Sequence, residues 1–199
     1  MTSLFPMFLK LEGRPFLVVG AGTVAEGKIN GLLLSGAAVR VVAPRANAAV
    51  EEWARKGAIR WEAREFSPAD LDGVFLVIVA TSSTHVNEAV FHEAQCRNVL
   101  CNVVDDPQHC DFYYPAVVRR GQLQIAISTA GESPALAQKL RRELETQYGP
   151  EYESWIKHLG KARRELFARN IDAEKRRHRL HELASEPPVT ALINKGERS

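Results

Sequence analysis

An apolar run that enters a glycine turn and then a helical pattern is the feature that most limits what this chain can fold into. The stretch is FLVVGAGTVAEGKINGLL, residues 16–33. Residues 16–19 are all apolar, as in a strand that is buried on both faces of a parallel sheet. After Val24 the apolar residues recur at helical spacing, and Gly36 stands where a helix C-cap favours positive φ. The pattern predicts a strand, a tight turn and a helix.

The same alternation of strand and helix continues along the first half of the chain. A helix is predicted to pass through Val50 and Trp53 and to end near Gly57, and another covers 85–97. Further strands are predicted at 39–42, 59–61, 75–80 and 100–104. Strands that alternate with helices pair in parallel through right-handed crossovers. We therefore expect an α/β fold with a Rossmann-like, doubly wound parallel sheet.

The glycine turn matches the pattern GxGxx(G/A) in the context that gives this pattern meaning. Gly20 permits the sharp turn, and Gly22 lets the backbone approach a diphosphate closely. The amides of Thr23 and Val24, at the positive end of the helix dipole, would then face the phosphates. The turn predicts a bound dinucleotide. The alternative is a tight strand–helix turn that binds no ligand.

The acidic residue that usually binds the ribose of NAD is missing. It is expected about 20 residues after the turn, but no Asp or Glu occurs between Glu26 and Glu51. Pro44 and Arg45 stand there instead. Arg45 could favour the 2′-phosphate of NADP or be a solvated loop cation, so these residues leave the choice between NAD and NADP open.

Two further strand ends carry polar residues that we expect at the same edge of the sheet. Ala80, Thr81 and Ser82 follow the strand at 75–80 and are predicted to lie beside the nicotinamide half of the cofactor. The alternative is that the following hydroxyls only cap a helix. Asp105, after the strand at 100–104, could accept a proton or orient a substrate nitrogen, or it could be an ordinary loop residue. His109 is a weaker candidate of the same kind.

The pattern changes beyond a predicted domain boundary near 112–115. Two strand-like pieces surround Gly121, and Ser133-Pro134 opens a helix with an N-cap hydroxyl and proline at its first position. A charged helical stretch is predicted at 152–184, followed by a loosely ordered tail from Pro187. The loop before the first of these helices, with the basic residues ahead of it, suits an anion; the candidates are Ser128, Thr129, Gly131, Ser133, Arg119 and Arg120.

Composition excludes several classes. The chain is 45% hydrophobic and 25% charged, which is unlike a disordered protein. Its net charge of +2 does not favour nucleic-acid binding, and the basic run at 174–179 is interpreted as a solvated helix face. Three cysteines without CxxC spacing favour neither a disulfide framework nor zinc. With no signal peptide or membrane span, we expect a cytoplasmic protein.

Several segments together resemble the precorrin-2 dehydrogenase family, which also supplies the amino-terminal module of sirohaem synthases. They are GAGTVAEGK, LLLSGAAVRVVAP, CNVVDDP and FYYPAVVRRGQLQIAISTAGESPALAQKLRRELE. The resemblance implies NAD-dependent oxidation of the tetrapyrrole precorrin-2 to sirohydrochlorin, on the route to sirohaem or cobalamin. It implies NAD as the cofactor, and Asp105 as the functional aspartate, a base or a hydrogen-bond acceptor.

The resemblance also implies an organisation. An NAD-binding domain at 1–113 would be followed by a small α+β dimerisation region at 114–149 and a C-terminal helical domain with its tail at 150–199. A homodimer is expected, with the substrate cleft between subunits. Gly27 departs from the basic residue that is common in the family. Because the chain ends at residue 199, the methyltransferase module of larger sirohaem synthases is expected in a separate protein.

Two other functions stay open at this stage. The first is a bifunctional enzyme that also inserts Fe²⁺ into sirohydrochlorin, although the sequence has no evident metal-ligand cluster. The second is a regulatory module that senses NAD(H) without catalysis, since the fold alone does not determine function.

Overall fold

A computed structural model describes residues 4–169, 171–186 and 188. Its contacts group the chain into two units, Met1–Tyr113 and Tyr114–Ser199. The roles assigned above to 1–113, 114–149 and 150–199 stay a prediction, and the predicted tail lies outside the described residues except for Pro188.

The first unit contains a five-stranded parallel sheet in the order β3-β2-β1-β4-β5. Its strands are β1 (Pro15–Val19), β2 (Ala38–Val42), β3 (Arg60–Glu62), β4 (Leu76–Val79) and β5 (Leu100–Val103). Its helices are α1 (Thr23–Leu33), α2 (Ala48–Arg55) and α3 (Thr84–Cys96). The strand order reverses between β1 and β4, as in a Rossmann-like sheet. The predicted fold class is confirmed.

The central strands are apolar throughout because helices cover both of their faces. In β1, Phe16 and Val18 belong to one buried cluster, while Leu17 and Val19 belong to another on the opposite face. The first cluster contains the inner face of α1, including the fully buried Ile29, and the second contains the inner face of α3. A strand between two cores needs no polar alternation.

Element boundaries agree with the predicted ones to within a few residues, and Gly36 has the expected positive φ of 73°. Two short 3₁₀ turns, Pro68–Leu71 and Pro107–His109, were not predicted. A 3₁₀ turn of three or four residues is too short to give a periodic pattern of apolar residues in the sequence.

The second unit begins with an antiparallel hairpin of β6 (Ala116–Arg120) and β7 (Leu123–Ile127), which turns at Gly121 as predicted. Helices α4 (Pro134–Gln147), α5 (Glu151–Ala168) and α6 (Ala173–Ser185) follow. The alternation expected in β7 is present, since every second side chain is half-buried. The single helical stretch predicted at 152–184 is wrong: it is two helices, because Asp172 caps a new one by accepting from the amides of Glu174 and Lys175.

Among the described residues, no helix has both the length and the apolar character needed to cross a bilayer.

A buried carboxylate ties the turn Pro68–Leu71 to β2. Asp70 is only 3% exposed, and its oxygens accept from Arg40 at 2.7 Å, from Arg64 at 2.6 and 2.8 Å and from the amide of Ser67 at 2.8 Å. Burial opposes ionisation of Asp70, yet the hydrogen bonds from Arg64, Ser67 and Arg40 outweigh it and lower the pKa of the carboxyl to about 2. The charged form therefore stabilises the folded state.

We expect Asp70→Asn to lower the free energy of unfolding at pH 7 by about 2–3 kcal/mol, because charge-assisted bonds are lost. The folded pKa is depressed, so the stabilisation is complete well above the unfolded value of about 4 and disappears as the pH falls through about 2. Urea unfolding should give a clearly smaller difference between wild type and variant at pH 3 than at pH 7. Asp72→Asn, at the exposed Asp72–Arg97 pair, is the control with little effect. A difference independent of pH would contradict this assignment.

Candidate functional site

The parallel register brings four strand ends to one edge of the sheet. Val19 pairs with both Val42 and Val79, and Val79 pairs with Val103. The next residues continue this alignment: the amide of Gly20 donates to Val42 at 3.0 Å, that of Ala80 to Val19 at 2.8 Å and that of Val104 to Val79 at 2.9 Å. Four segments therefore begin at this one edge: the glycine turn, the loop after β2, the residues after β4 and the segment that contains Asp105. It is the edge at which ligands bind in open α/β sheets.

Gly20 is required by the fold itself. Its φ is +106°, and a Cβ there would lie 2.2 Å from the carbonyl oxygen of Ala80 in the neighbouring strand end. Glycine is the residue that permits both the left-handed φ and this close approach. The chain can therefore turn directly after β1 while β1 stays paired with β4.

Gly22 is exposed and stands at the N-cap of α1, where it has no side chain to accept from the first-turn amides. A Cβ built on Gly22 meets nothing within 4 Å, so open space lies beside it. Thr23 and Val24 are exposed at this helix end, and Ala25 is fully buried against the sheet. An uncapped helix N-terminus beside open space suits a diphosphate. These residues fit a dinucleotide.

The loop after β2 is fastened to the glycine turn by a residue that sequence reasoning missed. Pro44 and Arg45 are exposed, as expected of a loop that meets a ligand or solvent. Asn47 donates its backbone amide to the carbonyl of Ala21 at 3.0 Å and its side-chain amide to Glu26 at 2.7 Å. An asparagine just before an amphipathic helix was an available N-cap signal. Its bonds to the glycine turn left no signal in the sequence.

The residues after β4 form a turn of their own. Ala80 and Thr81 are half-buried and Ser82 is exposed. The hydroxyl of Thr81 lies 2.6 Å from the amide oxygen of Asn87, and Ser83 caps α3 by accepting from the amide of Val86. The capping interpretation is thus correct for Ser83, and the Thr81 hydroxyl is already engaged within the protein. A ligand at this point would meet Ala80, Ser82 and the backbone.

Asp105 is exposed, and its backbone has a left-handed φ of +62°. Aspartate tolerates this region better than most residues, although at a cost. The chain then folds back along β5: the amide of Asp111 donates to Cys101 at 2.8 Å, and the Asp111 carboxylate accepts from the Cys101 amide at 2.8 Å. Asn102 donates to the carbonyl of Phe112 at 2.7 Å. This returning segment holds the bend at which Asp105 stands.

Asp105 and the glycine turn lie on the same side of the first unit. Burial lowers the pKa of Lys28 on α1, and the charges of Asp105 and Cys110 oppose this shift in part. The Lys28 ammonium therefore lies within electrostatic reach of Asp105. His109 is held differently: its Nδ1 is 2.6 Å from the Asp106 carboxylate, and its ring packs edge-on against Phe91 with the ring centroids 4.7 Å apart.

In the second unit, three predicted hydroxyls organise the loop that precedes α4. Ser128, Thr129 and Ser133 accept from the amides of Ala130, Ser133 and Leu136 at 3.1, 3.1 and 3.3 Å. Gly131 takes a positive φ of 87° within this loop. The N-cap at Ser133 and the proline at the first helical position are as predicted. Each of these hydroxyl oxygens already accepts a hydrogen bond, and each hydroxyl also carries a proton that it can donate.

The two predicted arginines differ. Arg119 is exposed, whereas Arg120 donates to the carbonyl of Tyr148 at 2.8 Å and to that of Glu145 at 3.0 Å. These are among the last carbonyls of α4, which have no partner within the helix. Arg120 therefore helps to terminate α4, and its predicted contact with a ligand stays a prediction.

Strand order and glycine turn together define a Rossmann-like protein with a nucleotide-binding edge. The family described as "Putative NAD(P)-binding" matches residues 7–116, and that described as "Sirohaem biosynthesis protein central" matches residues 120–147. The solved structure of "SirC, precorrin-2 dehydrogenase" is 31% identical to this chain, with a TM-score of 0.83, and the match covers 98% of this chain and 96% of that one. The chain belongs to the precorrin-2 dehydrogenase family.

Longer proteins are also similar. "Siroheme synthase 1" of Yersinia enterocolitica is 41% identical over 192 residues, and "Siroheme synthase" of Photorhabdus laumondii is 40% identical over 192 residues. Both matches cover 96% of this chain, but only 40% and 41% of those proteins. The chain thus spans about two fifths of their length.

Substitution of the two glycines should separate fold from ligand binding. Gly20→Ala forces a side chain into a backbone carbonyl at left-handed φ, and we expect it to cost about 3 kcal/mol or more of stability. Gly22→Ala has room, so its free energy of unfolding should change by less than about 1 kcal/mol. Titration with NADH should nevertheless show binding to Gly22→Ala weakened about tenfold or more, if the methyl group enters the space expected for the diphosphate. Unchanged NADH affinity in Gly22→Ala would argue against a diphosphate at this turn.

Proposed function

We propose that this protein is an NAD-dependent dehydrogenase that oxidises precorrin-2 to sirohydrochlorin, on the route to sirohaem or cobalamin. The observation that carries the proposal is the position of Asp105. Asp105 follows β5 at the same sheet edge as the glycine turn, which follows β1 two strands away. The whole chain also aligns nearly end to end with a precorrin-2 dehydrogenase.

The cofactor is proposed to extend along the carboxyl ends of the strands. The first-turn amides of Thr23 and Val24 would bind the diphosphate beside Gly20 and Gly22, where the helix dipole favours anions. Pro44 and Arg45 would contact the adenosine ribose. Ala80, the backbone of Thr81 and Ser82 would border the nicotinamide half. When bound, the nicotinamide supplies the acceptor for a hydride.

Asp105 is the proposed catalytic residue. Oxidation of precorrin-2 releases a hydride and a proton, and an exposed carboxylate beside the hydride acceptor can take that proton or accept a hydrogen bond from a pyrrole N–H. Its left-handed backbone stands at a bend that is held by the segment folding back along β5. Orientation of the macrocycle would supply most of the remaining rate enhancement.

The loop before α4 is proposed to bind carboxylates of the tetrapyrrole. The protons of the Ser128, Thr129 and Ser133 hydroxyls, the backbone near Gly131 and the exposed cation of Arg119 are suited to anions. Arg120 would contribute only by terminating α4.

We propose that the protein acts in the cytoplasm as a homodimer, without nucleic-acid or membrane partners. The two-stranded sheet β6-β7 has edges that another chain can pair with. The three cysteines are free thiols, as in a reducing compartment.

Neither alternative function has a specific observation in its favour. No group of three His, Cys, Asp or Glu side chains among the described residues could hold a metal ion, and the comparisons do not favour the additional ferrochelatase. A sensor of NAD(H) would give no NADH when incubated with precorrin-2 and NAD⁺.

Asp105→Asn tests the proposal directly. Asparagine also tolerates left-handed φ, so the variant should fold and bind NADH as the wild type does. Its kcat for NADH formation from precorrin-2, followed by absorbance, should fall by about 10²–10⁴. Asp72→Asn is the matched control, since Asp72 is an exposed aspartate that precedes β4 at the opposite edge of the sheet. Wild-type kcat in Asp105→Asn would remove Asp105 from the chemistry.

We propose NAD rather than NADP as the cofactor, on the family resemblance, with Arg45 beside the adenosine ribose and no 2′-phosphate paired with it. The expected result is a kcat/KM at least about tenfold higher with NAD⁺, a difference of about 1.4 kcal/mol. Arg45→Ala should leave this preference within about twofold of wild type, since an exposed cation with no phosphate partner contributes little. A preference for NADP⁺ that disappears in Arg45→Ala would reverse the assignment.

A further inference from the structure

One residue joins the two loops that a dinucleotide would touch. The glycine turn would hold the diphosphate, and the loop after β2 would meet the adenosine ribose. Asn47 lies in the second loop, and its backbone amide donates to the carbonyl of Ala21 in the first, at 3.0 Å. The backbone at residue 47 therefore contributes to the spacing between the two loops.

The side chain of Asn47 makes two more hydrogen bonds. Its carbonyl oxygen accepts from the amide of Val50 at 3.0 Å and so caps α2, and its amide donates to a carboxylate oxygen of Glu26 at 2.7 Å. Glu26 is half-buried in the first turn of α1. Both halves of the Asn47 amide are thus used, one for each helix.

The position of Glu26 makes the second bond consequential. A carboxylate in the first turn of a helix is favoured by the dipole. In α1, however, the same turn is where the diphosphate would bind, and two anions close together repel each other. Donation from Asn47 directs the Glu26 carboxylate towards the loop after β2 and offsets part of its charge.

We propose that Asn47 is a positioning residue of the dinucleotide site, which sets the glycine turn against the loop after β2 and holds the Glu26 carboxylate away from the diphosphate. This inference rests on the proposed NAD-dependent function. It assigns to Asn47 an effect on cofactor affinity, with no part in the transfer of hydride or proton.

A simple helix cap makes a different prediction. Asp caps helices about as well as Asn, so Asn47→Asp would then be neutral. If Asn47 is a positioning residue, the carboxylate that Asn47→Asp introduces cannot donate to Glu26 and instead repels it. The double variant Glu26→Gln with Asn47→Asp reverses donor and acceptor, because the amide introduced on α1 can donate to the carboxylate introduced in the loop. Recovery in the double variant separates the two interpretations.

The experiment measures the Kd for NADH by fluorescence titration, the thermal midpoint, and KM for NAD⁺ and kcat with precorrin-2. For Asn47→Asp we expect Kd and KM to rise about tenfold, with kcat at saturating NAD⁺ within about twofold of wild type. The double variant should return to within about threefold of wild type. Asn30→Asp adds the same charge to the exposed face of α1 and should leave both the Kd for NADH and the KM for NAD⁺ unchanged. If Asn47→Asp fails to fold, Asn47→Ser keeps a cap without the amide donor and should still weaken NADH binding.

Wild-type affinity in Asn47→Asp, or a loss that the double variant does not recover, overturns the inference while the proposed function stands. Failure of the wild-type protein to bind NADH overturns both, and is recognised because it appears before any substitution is made.

Discussion

The close approach of the Gly20 backbone to the Ala80 carbonyl is the contact on which the geometry of this site depends. It lies where β1 and β4 end side by side, at the point where the strand order reverses. Because no side chain intervenes, the chain can turn at left-handed φ directly into α1 and leave the first amides of that helix open. A larger residue would force either the turn or the pairing of the two strands to give way.

The remaining loops at this edge are held by bonds that need no ligand. Asn47 hydrogen-bonds the loop after β2 to the glycine turn, and a hydrogen bond between Thr81 and Asn87 closes the turn after β4. Asp111 hydrogen-bonds to Cys101, which holds the segment after Asp105 against β5. Loops fixed in advance lose little conformational entropy when a ligand binds. The edge therefore has a preformed shape, at which the first-turn amides of α1 and the exposed residue Asp105 are found.

Many helices and strands were predictable because the sequence signals that mark them are local. The runs at 16–19 and 75–80 are apolar throughout since helices cover both faces of the sheet, and this leaves a clear pattern in the sequence. Ser133-Pro134 marks the start of α4 because capping needs only neighbouring residues. By contrast, α5 and α6 were predicted as one helix, since the charged stretch that contains Asp172 keeps a helical composition across the break.

The sequence by itself determined the class of fold, the glycine turn, the family and the aspartate that follows β5, because each is expressed in periodicity or in a short run of residues. Only the tertiary structure decided which distant residues interact. Asn47 is hydrogen-bonded to Ala21 and Glu26, and Arg120 is hydrogen-bonded to the carbonyls of Glu145 and Tyr148 at the end of α4. Lys28 lies within electrostatic reach of Asp105. These partners are more than 20 residues apart in the chain. Their contacts depend on strand order and on how helices pack against the sheet, which no local pattern encodes.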